Sequence, residues 1–291
     1  MPYGWCWPLL PERRNERQAH RLPGAAGHLS EEAALRYDPA AQLLPFASVA
    51  AVAAAVDSGM AEEGVVAIEN SIEGSVTDTL DILIHESRLS IKRELVLPVE
   101  HCLLVRPDMQ AADVKVLLSH PQALGQCRRF LERCFPKAEI VAALSTAAAV
   151  EEMMARENAA AIATRRAAEL YAAEILAHDI QDRSDNLTRF VVLDQTDHPP
   201  TGNDKTSLAF SFADDHPGLL VSALEEFSSR GINLTKVESR PTKERLGEYI
   251  FLLDMAGHRS EATVAEALKA VEAQASFFRI FGSYPRYIGS A

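Results

Sequence analysis

Residues 114–126 read VKVLLSHPQALGQ and pass from an apolar strand pattern, through a polar turn, into a helical pattern. Pro121 fits the first turn of that helix, where its missing N–H costs nothing. The same order recurs earlier, where the apolar run 65–68 leads through polar residues into an amphipathic stretch at 76–85. This alternation of strands and helices predicts α/β layers with a largely parallel sheet.

The rest of the first 195 residues continues in the same way. Short apolar runs bounded by glycine or polar residues predict strands, and longer amphipathic or alanine-rich stretches predict helices. We expect helices at 31–37, 49–58, 76–85, 123–134 and 146–157, and strands at 65–68, 95–105, 114–118, 140–144, 160–163 and 188–193.

A second unit follows residues 196–204, which contain two prolines, a glycine and little apolar material. This composition is typical of a linker. Beyond it the pattern predicts strand, helix, two strands, helix and strand, which is a compact βαββαβ module. The predicted bounds are 207–212, 218–230, 233–240, 248–255, 261–274 and 277–284.

The composition excludes several classes of protein. A formal net charge of −12 disfavours nucleic acid and acidic membrane surfaces as partners, although a local pocket can still bind an anionic metabolite. The four cysteines show no CxxC spacing and no accompanying histidine cluster, so we expect no metal and reduced thiols. We find neither a membrane-length apolar run nor a signal peptide, and therefore expect a cytoplasmic protein.

Two polar clusters follow predicted strands and open predicted helices. The first is Glu69-Asn70-Ser71-Ile72-Glu73-Gly74-Ser75, and the second is Ser119-His120-Pro121-Gln122 with Gln126 one helical turn further on. Their hydroxyls, amides and free backbone N–H groups could hold an anion. Each could equally be an ordinary helix cap. Two such clusters in one domain favour a shared anion-binding cleft.

A third cluster, residues 185–190 with the sequence DNLTRF, places a hydroxyl and a cation at the start of a strand. The alternative is a surface turn in which Arg189 pairs with a carboxylate. The histidines lie in no triad-like or metal-binding spacing and are expected to be structural or on the surface. The sequence contains no GxGxxG, Walker A or HExxH motif, so a nucleotide or zinc has no support.

Taken together, these residues resemble the prephenate dehydratase family, and the likeness runs from residue 30 to residue 286. The motifs occur in family order. They are Asn-Ser-x-x-Gly at Asn70, Ser71 and Gly74, Ser-His-Pro-Gln at 119–122, Asn-x-Thr-Arg-Phe at 186–190, Glu-Ser-Arg-Pro at 238–241, and Gly-Ser-Tyr-Pro-Arg at 282–286.

The resemblance implies a two-lobed, periplasmic-binding-protein-like α/β catalytic domain at 30–195, followed by a ferredoxin-like ACT domain at 205–286. The first lobe would cover about 30–98 and 175–195, and the second about 99–174. The implied reaction is a carbon–oxygen lyase step without cofactor or metal, which converts prephenate to phenylpyruvate in phenylalanine biosynthesis. Thr188 carries the catalytic role, and the implied substrate-binding residues are Glu69, Asn70, Ser71, Gly74, Ser119, His120, Gln122, Gln126, Arg189 and Phe190.

In the ACT domain the resemblance implies allosteric binding of phenylalanine. A glycine at a helix start lets a ligand approach backbone N–H groups, although it also suits a tight turn. Leu219 replaces the usual alanine of the family's loop and could narrow the pocket. ACT modules usually pair, so a homodimer or homotetramer is expected. The implied effector residues are His216, Gly218, Leu219, Leu220, Asn233, Glu238, Ser239, Arg240 and Pro241.

The N-terminal segment departs from the family, which begins with a strand and a Gly-Pro-x-Gly-Thr-Phe-Ser loop. Reading the codons of residues 20–29 one nucleotide later can spell Ile-Ala-Tyr-Leu-Gly-Pro-x-Gly-Thr-Phe. We therefore hypothesise a single-nucleotide frameshift near residues 29–30, with residues 1–29 out of frame, without a strand and poorly ordered. The chain as written would then be unstable or nearly inactive. Resequencing the locus tests this, since a clean read in the present frame would refute it.

Two alternatives stay open on the sequence. Arogenate dehydratase performs the same reaction on the amino-acid form of the substrate, and assays with both substrates would separate the two. A non-catalytic amino-acid-binding regulator would use the cleft and the ACT domain only for sensing. The presence of Thr188, Asn70 and Gln126 argues against the regulator.

Overall fold

A computed structural model describes residues 7–9, 29–213, 216–243 and 247–289. Within these residues the strands form three β-sheets, two in the N-terminal part of the chain and one in the C-terminal domain. The strands are β1 (Trp7–Leu9), β2 (Glu63–Asn70), β3 (Gly74–Ser75), β4 (Ser90–Pro98), β5 (Cys102–Val105), β6 (Val116–Ser119), β7 (Glu139–Ala142), β8 (Ala159–Ala163), β9 (Glu174–Ala177), β10 (Leu187–Asp194), β11 (Asp204–Ser211), β12 (Leu234–Pro241), β13 (Tyr249–Ala256) and β14 (Phe277–Pro285).

The helices pack on the faces of these sheets. They are α1 (Leu29–Tyr37), α2 (Val49–Asp57), α3 (Thr77–Asp81), α4 (Pro121–Gln126), α5 (Arg128–Cys134), α6 (Thr146–Met154), α7 (Arg165–Tyr171), α8 (Leu219–Ser228) and α9 (Ala262–Gln274). A π-helical turn, Ile82–Glu86, continues α3. Within the described ranges, every helix is too short or too polar to cross a membrane.

The first lobe is built on a sheet in the order β1-β2-β10-β4, with β3 added to β2. Every pairing in this sheet is antiparallel. The predicted largely parallel sheet is therefore wrong for this lobe. The continuous apolar run of β2 has another cause: its Val65 and Ala67 pack with α1, while Val66 and Ile68 pack on the opposite face.

The second lobe has the sheet order β7-β6-β8-β5-β9. Here β6 is parallel to both β7 and β8, as predicted, whereas β5 is antiparallel to β8 and β9, so the sheet is mixed and the prediction holds only for its β7-β6-β8 half. Neither α7 nor β9 was predicted from the sequence. β9 pairs with β5, Ile180 lies in a core cluster of this lobe, and the Asp182 N–H donates to the carbonyl oxygen of Gln126. The chain therefore stays with the second lobe to residue 182, beyond the predicted boundary near 175.

One short strand precedes residue 30, where the sequence predicted none. β1 pairs antiparallel with β2, with Trp7 opposite Val65. Residues 1–6 and 10–28 lie outside the described residues. The predicted poor order of this segment and the loop that departs from the family therefore fall there too. The frameshift stays a prediction.

The C-terminal domain confirms the predicted βαββαβ order, with the sheet β12-β13-β11-β14. Helices α8 and α9 cover one face, through a core that includes Phe210, Phe227 and Val271. The other face packs on the first lobe, because Leu252 and Phe281 lie in one hydrophobic cluster with residues of β2 and α2. Burying side chains of this size stabilises by about 1.5–3 kcal/mol each, so the interface contributes substantially to the fold.

β14 approaches the first lobe closely at Gly282, whose φ is +150°. A Cβ atom built there would lie 2.3 Å from the carbonyl oxygen of Ile91 on β4. Glycine is therefore required for β14 to lie against β4, which gives a physical reason for the first residue of the Gly-Ser-Tyr-Pro-Arg motif.

Candidate active site

The register of β10 on β2 places Thr188 directly opposite Asn70. The Asn70 amide nitrogen donates to the Thr188 hydroxyl oxygen at 2.9 Å and to Asn186 Oδ1 at 2.8 Å. Its Oδ1 accepts from the backbone N–H groups of Ile72 and Glu73. Asn70, Asn186 and Thr188 are all buried. One amide therefore fixes both the Thr188 rotamer and the turn after β2.

The Thr188 hydroxyl keeps its own hydrogen for another acceptor. Its oxygen already accepts from Asn70, whose amide nitrogen can only donate. The side-chain hydrogen bonds of the described residues include this one to the Thr188 hydroxyl and none that it donates. A buried, oriented O–H donor of this kind can stabilise a leaving oxygen.

Ser71 holds the loop before β10 in place. Its Oγ donates to the carbonyl oxygen of Asp185 and accepts from the backbone N–H of Leu187 at 2.9 Å. Its own N–H donates to the carbonyl oxygen of Leu187 at 2.8 Å. Through these three hydrogen bonds, Ser71 joins two motifs that are more than 100 residues apart.

The second lobe meets this site through two glutamines. The side-chain amides of Gln122 and Gln126 both donate to Glu73 Oε1 on the first lobe, the latter at 3.2 Å. The Oε1 of Gln126 in turn contacts the Nε2 of His101 at 2.8 Å. Neither Glu73 nor His101 was among the substrate-binding residues predicted from the sequence. Glu73 belongs to the first polar cluster, whereas no sequence motif marks His101.

The contacts of Gln126 define the protonation of His101. Since the Gln126 nitrogen donates to Glu73, its oxygen accepts, and His101 Nε2 must carry hydrogen. Burial lowers the pKa of His101, against the hydrogen bond to Gln126, which favours the charged form. His101 Nδ1 is buried without a hydrogen-bond partner among the described residues. The ring is therefore neutral at physiological pH.

This burial predicts a pH-dependent stability. The unfolded chain takes up a proton near pH 6.5 before folded His101 does, so stability is retained above that pH and falls as the pH drops below it. The loss is at most about 1.4 kcal/mol per pH unit. In His101→Gln the melting temperature should fall less between pH 7.5 and pH 5 than it does in the parent. Parallel curves would contradict the assignment.

Several predicted substrate contacts have other partners in the structure. Ser119 is fully buried, and its Oγ donates to the carbonyl oxygen of Ile162 at 2.7 Å, which holds β6 to β8. Phe190 is a core residue of the first lobe. His120 caps α4, accepting from the N–H of Gln122 at 3.3 Å. Gly74 lies in the exposed turn after β2 with a φ of +84°. Ser119, Phe190 and Gly74 thus have structural roles, while His120 caps α4 through Nδ1 and stays partly exposed beside Glu73.

Arg189 points away from Thr188, because successive residues of a strand face opposite sides of the sheet. Its guanidinium lies 2.6 Å from Asp254 Oδ2, 3.3 Å from Glu94 Oε2 and 3.2 Å from Glu69 Oε2. Burial would lower the pKa of Arg189, but these carboxylates, Asp254 first, raise it above its usual value. Arg189 thus pairs with carboxylates, as the alternative reading of this cluster expected, and its contact with the substrate stays a prediction. The pairing is buried, however, and not in a surface turn.

A pocket of about 200 Å³ lies in the C-terminal domain, at the N-terminal end of α8. Gly218 caps that helix with a φ of +95°, a conformation that disfavours a side chain. The pocket combines backbone at a helix start with aromatic walls. Its lining includes the predicted residues His216, Gly218, Leu219 and Leu220, together with Phe212, Tyr249 and Phe251.

The other predicted effector residues lie elsewhere. Asn233 lines a neighbouring groove beside α8. Glu238 accepts a hydrogen bond from Ser75, and Arg240 pairs with Asp81 at 2.8 Å, so both face the first lobe. The remaining two, Ser239 and Pro241, are exposed on the opposite face of β12. Within this single chain, the Glu-Ser-Arg-Pro motif does not line the pocket.

The described residues contain no group of three or more histidine, cysteine, aspartate or glutamate side chains arranged to hold a metal ion. The cysteines described here, Cys102, Cys127 and Cys134, are free thiols. Burial raises the pKa of Cys127 to about 12, so that thiol is protonated and unreactive.

Comparison with known proteins gives a consistent result. The prephenate dehydratase family model matches residues 22–198, and the ACT domain model matches residues 206–273. A prephenate dehydratase of Mycolicibacterium vanbaalenii is 44% identical over 240 residues, which cover 82% of this chain and 77% of that protein.

Solved structures are similarly close. The prephenate dehydratase of Arthrobacter aurescens in complex with L-Phe superposes with a TM-score of 0.83 at 36% identity, covering 90% of this chain and 88% of that one. GqqA, described as a novel type of quorum quenching acylase, superposes with a TM-score of 0.82 at 33% identity, covering 91% and 96%. The family model spans more than half of the chain, and the site motifs meet in one cleft. The chain therefore belongs to the prephenate dehydratase family.

Proposed function

We propose that this protein is a prephenate dehydratase that converts prephenate to phenylpyruvate, carbon dioxide and water. The observation that supports this most directly is the buried Thr188 hydroxyl, fixed by Asn70 and with its hydrogen free to donate. No cofactor takes part in the proposed reaction.

The reaction needs a donor more than it needs a strong acid. The ring carboxylate leaves as carbon dioxide, and the electrons of its C–C bond complete the aromatic ring. The ring hydroxyl departs with its bonding pair and takes up one proton to become water. Aromatisation supplies the driving force, so the protein must mainly orient the substrate and stabilise the departing oxygen. Thr188 donates to that oxygen, and the Asn70 donor polarises the Thr188 hydroxyl further.

The substrate carboxylates require other donors. We assign to them the side-chain amides of Gln122 and Gln126, which in this ligand-free state donate to Glu73 across the cleft. Substrate binding would replace that contact with one to a carboxylate. Arg189 has no direct role in this proposal, since carboxylates of the protein already surround it.

We assign the effector, phenylalanine, to the pocket at the start of α8. The Arthrobacter relative was crystallised with L-Phe, and the pocket here offers aromatic walls beside a helix N-terminus. Feedback inhibition by the end product would follow. A cytoplasmic location suits such a biosynthetic enzyme.

A homodimer or homotetramer is also proposed. Val221 and Tyr249 line this pocket and are 58% and 48% exposed, and Val237 on the edge strand β12 is 51% exposed. Large apolar side chains that collect at an edge strand mark a contact surface, and pairing through this edge would cover them.

The test is a direct assay with three substrates. Purified chain, with and without the corrected N-terminal frame, is given prephenate, arogenate and an N-acylated amine of the kind a quorum quenching acylase hydrolyses. We expect phenylpyruvate from prephenate, with phenylalanine lowering the rate. Faster turnover of arogenate would reassign the substrate, and acyl hydrolysis alone would favour the activity described for GqqA. No turnover by a folded, frame-corrected chain would favour the amino-acid-binding regulator.

A further inference from the structure

The C-terminal domain contacts the strand that carries Thr188, and a regulatory role for this contact rests on the proposed function. Thr188 and Arg189 are neighbours on β10 and lie on opposite faces of the first sheet. Thr188 faces Asn70 and the cleft, whereas Arg189 faces the C-terminal domain. One peptide unit therefore separates the proposed reacting hydroxyl from an interdomain contact.

Six charged side chains form what we call the interdomain charge cluster. Arg189, Glu69 and Glu94 come from the first lobe, and Asp254, Lys205 and Lys236 come from the C-terminal domain. These six are three cations and three carboxylates, and Glu238 adds a further carboxylate 3.1 Å from Lys236. Arg189 is its one cation from the first lobe, so it is the group through which β10 responds to the carboxylates around it.

Asp254 is the partner that ties Arg189 to the C-terminal domain. Its Oδ2 lies 2.6 Å from the Arg189 guanidinium, while its Oδ1 accepts from Ser207 Oγ at 2.6 Å. Ser207 Oγ is in turn 2.5 Å from the Tyr284 hydroxyl. Asp254, Ser207 and Tyr284 are buried and lie on the three strands β13, β11 and β14. The position of Asp254 against Arg189 therefore depends on three strands of the C-terminal sheet.

The backbone at this point is irregular. The pairing of β10 with β2 shifts register between Arg189 and Phe190, so β2 carries one extra residue beside the site. Such bulges re-aim side chains and interrupt regular pairing. A displacement of Arg189 would therefore change the direction of the neighbouring Thr188 side chain.

The geometry points to Arg189 as a positioning residue that, through Asp254, couples the occupancy of the phenylalanine pocket to the orientation of the Thr188 hydroxyl. It touches no substrate. Its effect runs through the backbone of β10, and the C-terminal domain acts on it by shifting Asp254. A second contact of the same interface, Arg240 with Asp81, lies on α3 and does not touch β10.

Coupling between two binding sites is reciprocal, which supplies the test. In the parent, saturating prephenate should change the dissociation constant of phenylalanine by about 5–150-fold, the usual range for allosteric pairs. In Asp254→Asn, which keeps the shape but removes the charge, this ratio should fall to near one. Asp81→Asn, the matched control at the same interface, should keep the parent's ratio. Ser207→Ala, a milder change should Asp254→Asn misfold, should lower the ratio partway.

A readout independent of turnover is hydrogen exchange of the amides of residues 187–190. Phenylalanine should change their exchange in the parent and in Asp81→Asn, but not in Asp254→Asn. Unchanged coupling in Asp254→Asn, equal loss in Asp81→Asn, or no phenylalanine-dependent change at these amides in the parent would overturn the inference. A parent that fails to turn over prephenate while showing this exchange pattern would count against the proposed function alone.

A variant of Arg189 itself distinguishes a positioning role from a general loss of stability. Arg189→Lys keeps a charge but loses the planar group that reaches several carboxylates at once. We expect a lower kcat with little change in KM, because Thr188 is misdirected while the substrate donors stay in place. Equal changes in kcat and KM for Arg189→Lys would instead indicate a general disturbance of the cleft and would contradict the positioning role.

Discussion

Replacing Thr188 with alanine is expected to lower kcat for phenylpyruvate formation by roughly 10²–10³-fold, the usual cost of removing one oriented donor at a developing negative charge. The Asn70 amide loses one of its three acceptors but keeps those of Asn186 and Leu187. The fold should therefore survive. Steady-state kinetics with prephenate, followed by the absorbance of phenylpyruvate, measures the effect.

Two controls make this result specific. Thr188→Ser keeps the hydroxyl and should recover most of the lost rate, because Asn70 can still donate to its oxygen. Phenylalanine affinity should be nearly unchanged in Thr188→Ala, since the effector pocket lies in the other domain. A Thr188→Ala variant with rates near those of the parent would remove Thr188 from the mechanism.

The second large effect concerns stability. Gly282→Ala would push a Cβ to within 2.3 Å of the Ile91 carbonyl oxygen and 2.8 Å of its nitrogen. These are backbone atoms, so β14 must move away from β4. We expect a loss of about 3 kcal/mol or more, combining overpacking with backbone strain. Thermal unfolding should show a melting temperature lower by roughly 10 °C.

Gly202→Ala provides the matched comparison. Gly202 also has a positive φ, +86°, but a Cβ there would meet nothing within 4 Å. Its cost should be limited to the backbone term of about 1–2 kcal/mol. If both variants melt together, the close approach of β14 to β4 is not what limits stability.

The C-terminal domain could be predicted almost completely from the sequence. Its strands are short runs rich in β-branched, aromatic and apolar residues, separated by polar or glycine-containing turns from helices of 10 and 13 residues, so that the order of elements can be read from the sequence. The predicted bounds 261–274 and 277–284 differ from α9 and β14 by one residue at one end. The pattern inside an element sets its type, and local contacts set its last residue.

The first lobe was harder to predict, because a strand that is buried on both faces shows no alternation of apolar and polar residues. In β2 the residues 64–68 are all buried, since helices cover one face and the C-terminal domain helps to cover the other. Such a run is typical of a parallel strand, yet β2 is antiparallel. The sequence of β2 cannot show what lies on its two sides. α7 and β9 were missed for a related reason, as both are short and carry only weak periodicity.

At the candidate site, the sequence identified the motifs but not the direction of each side chain. Thr188 and Asn70 do meet, as the order of motifs suggested. Arg189 could have been assigned to the opposite face by alternation alone, because it follows Thr188 on the same strand. That one of its partners would be Asp254 of the C-terminal domain depends on packing between units far apart in the chain. The roles of His101 and Glu73 could not be predicted from the sequence, because Glu73 meets Gln126 only where the two lobes face each other, and His101 contacts the site through Gln126.

The distribution of the hydrophobic clusters limits how this enzyme can open and close. One cluster is shared by the first lobe and the C-terminal domain, whereas the two clusters of the second lobe contain only residues between 102 and 180. The second lobe thus has its own core, whereas the first lobe and the C-terminal domain share one, so we expect substrate capture to move the second lobe as one body about the crossings at 98–102 and 183–187. Fluorophores on the second and first lobes should report substrate capture, while a pair on the first lobe and the C-terminal domain should change much less.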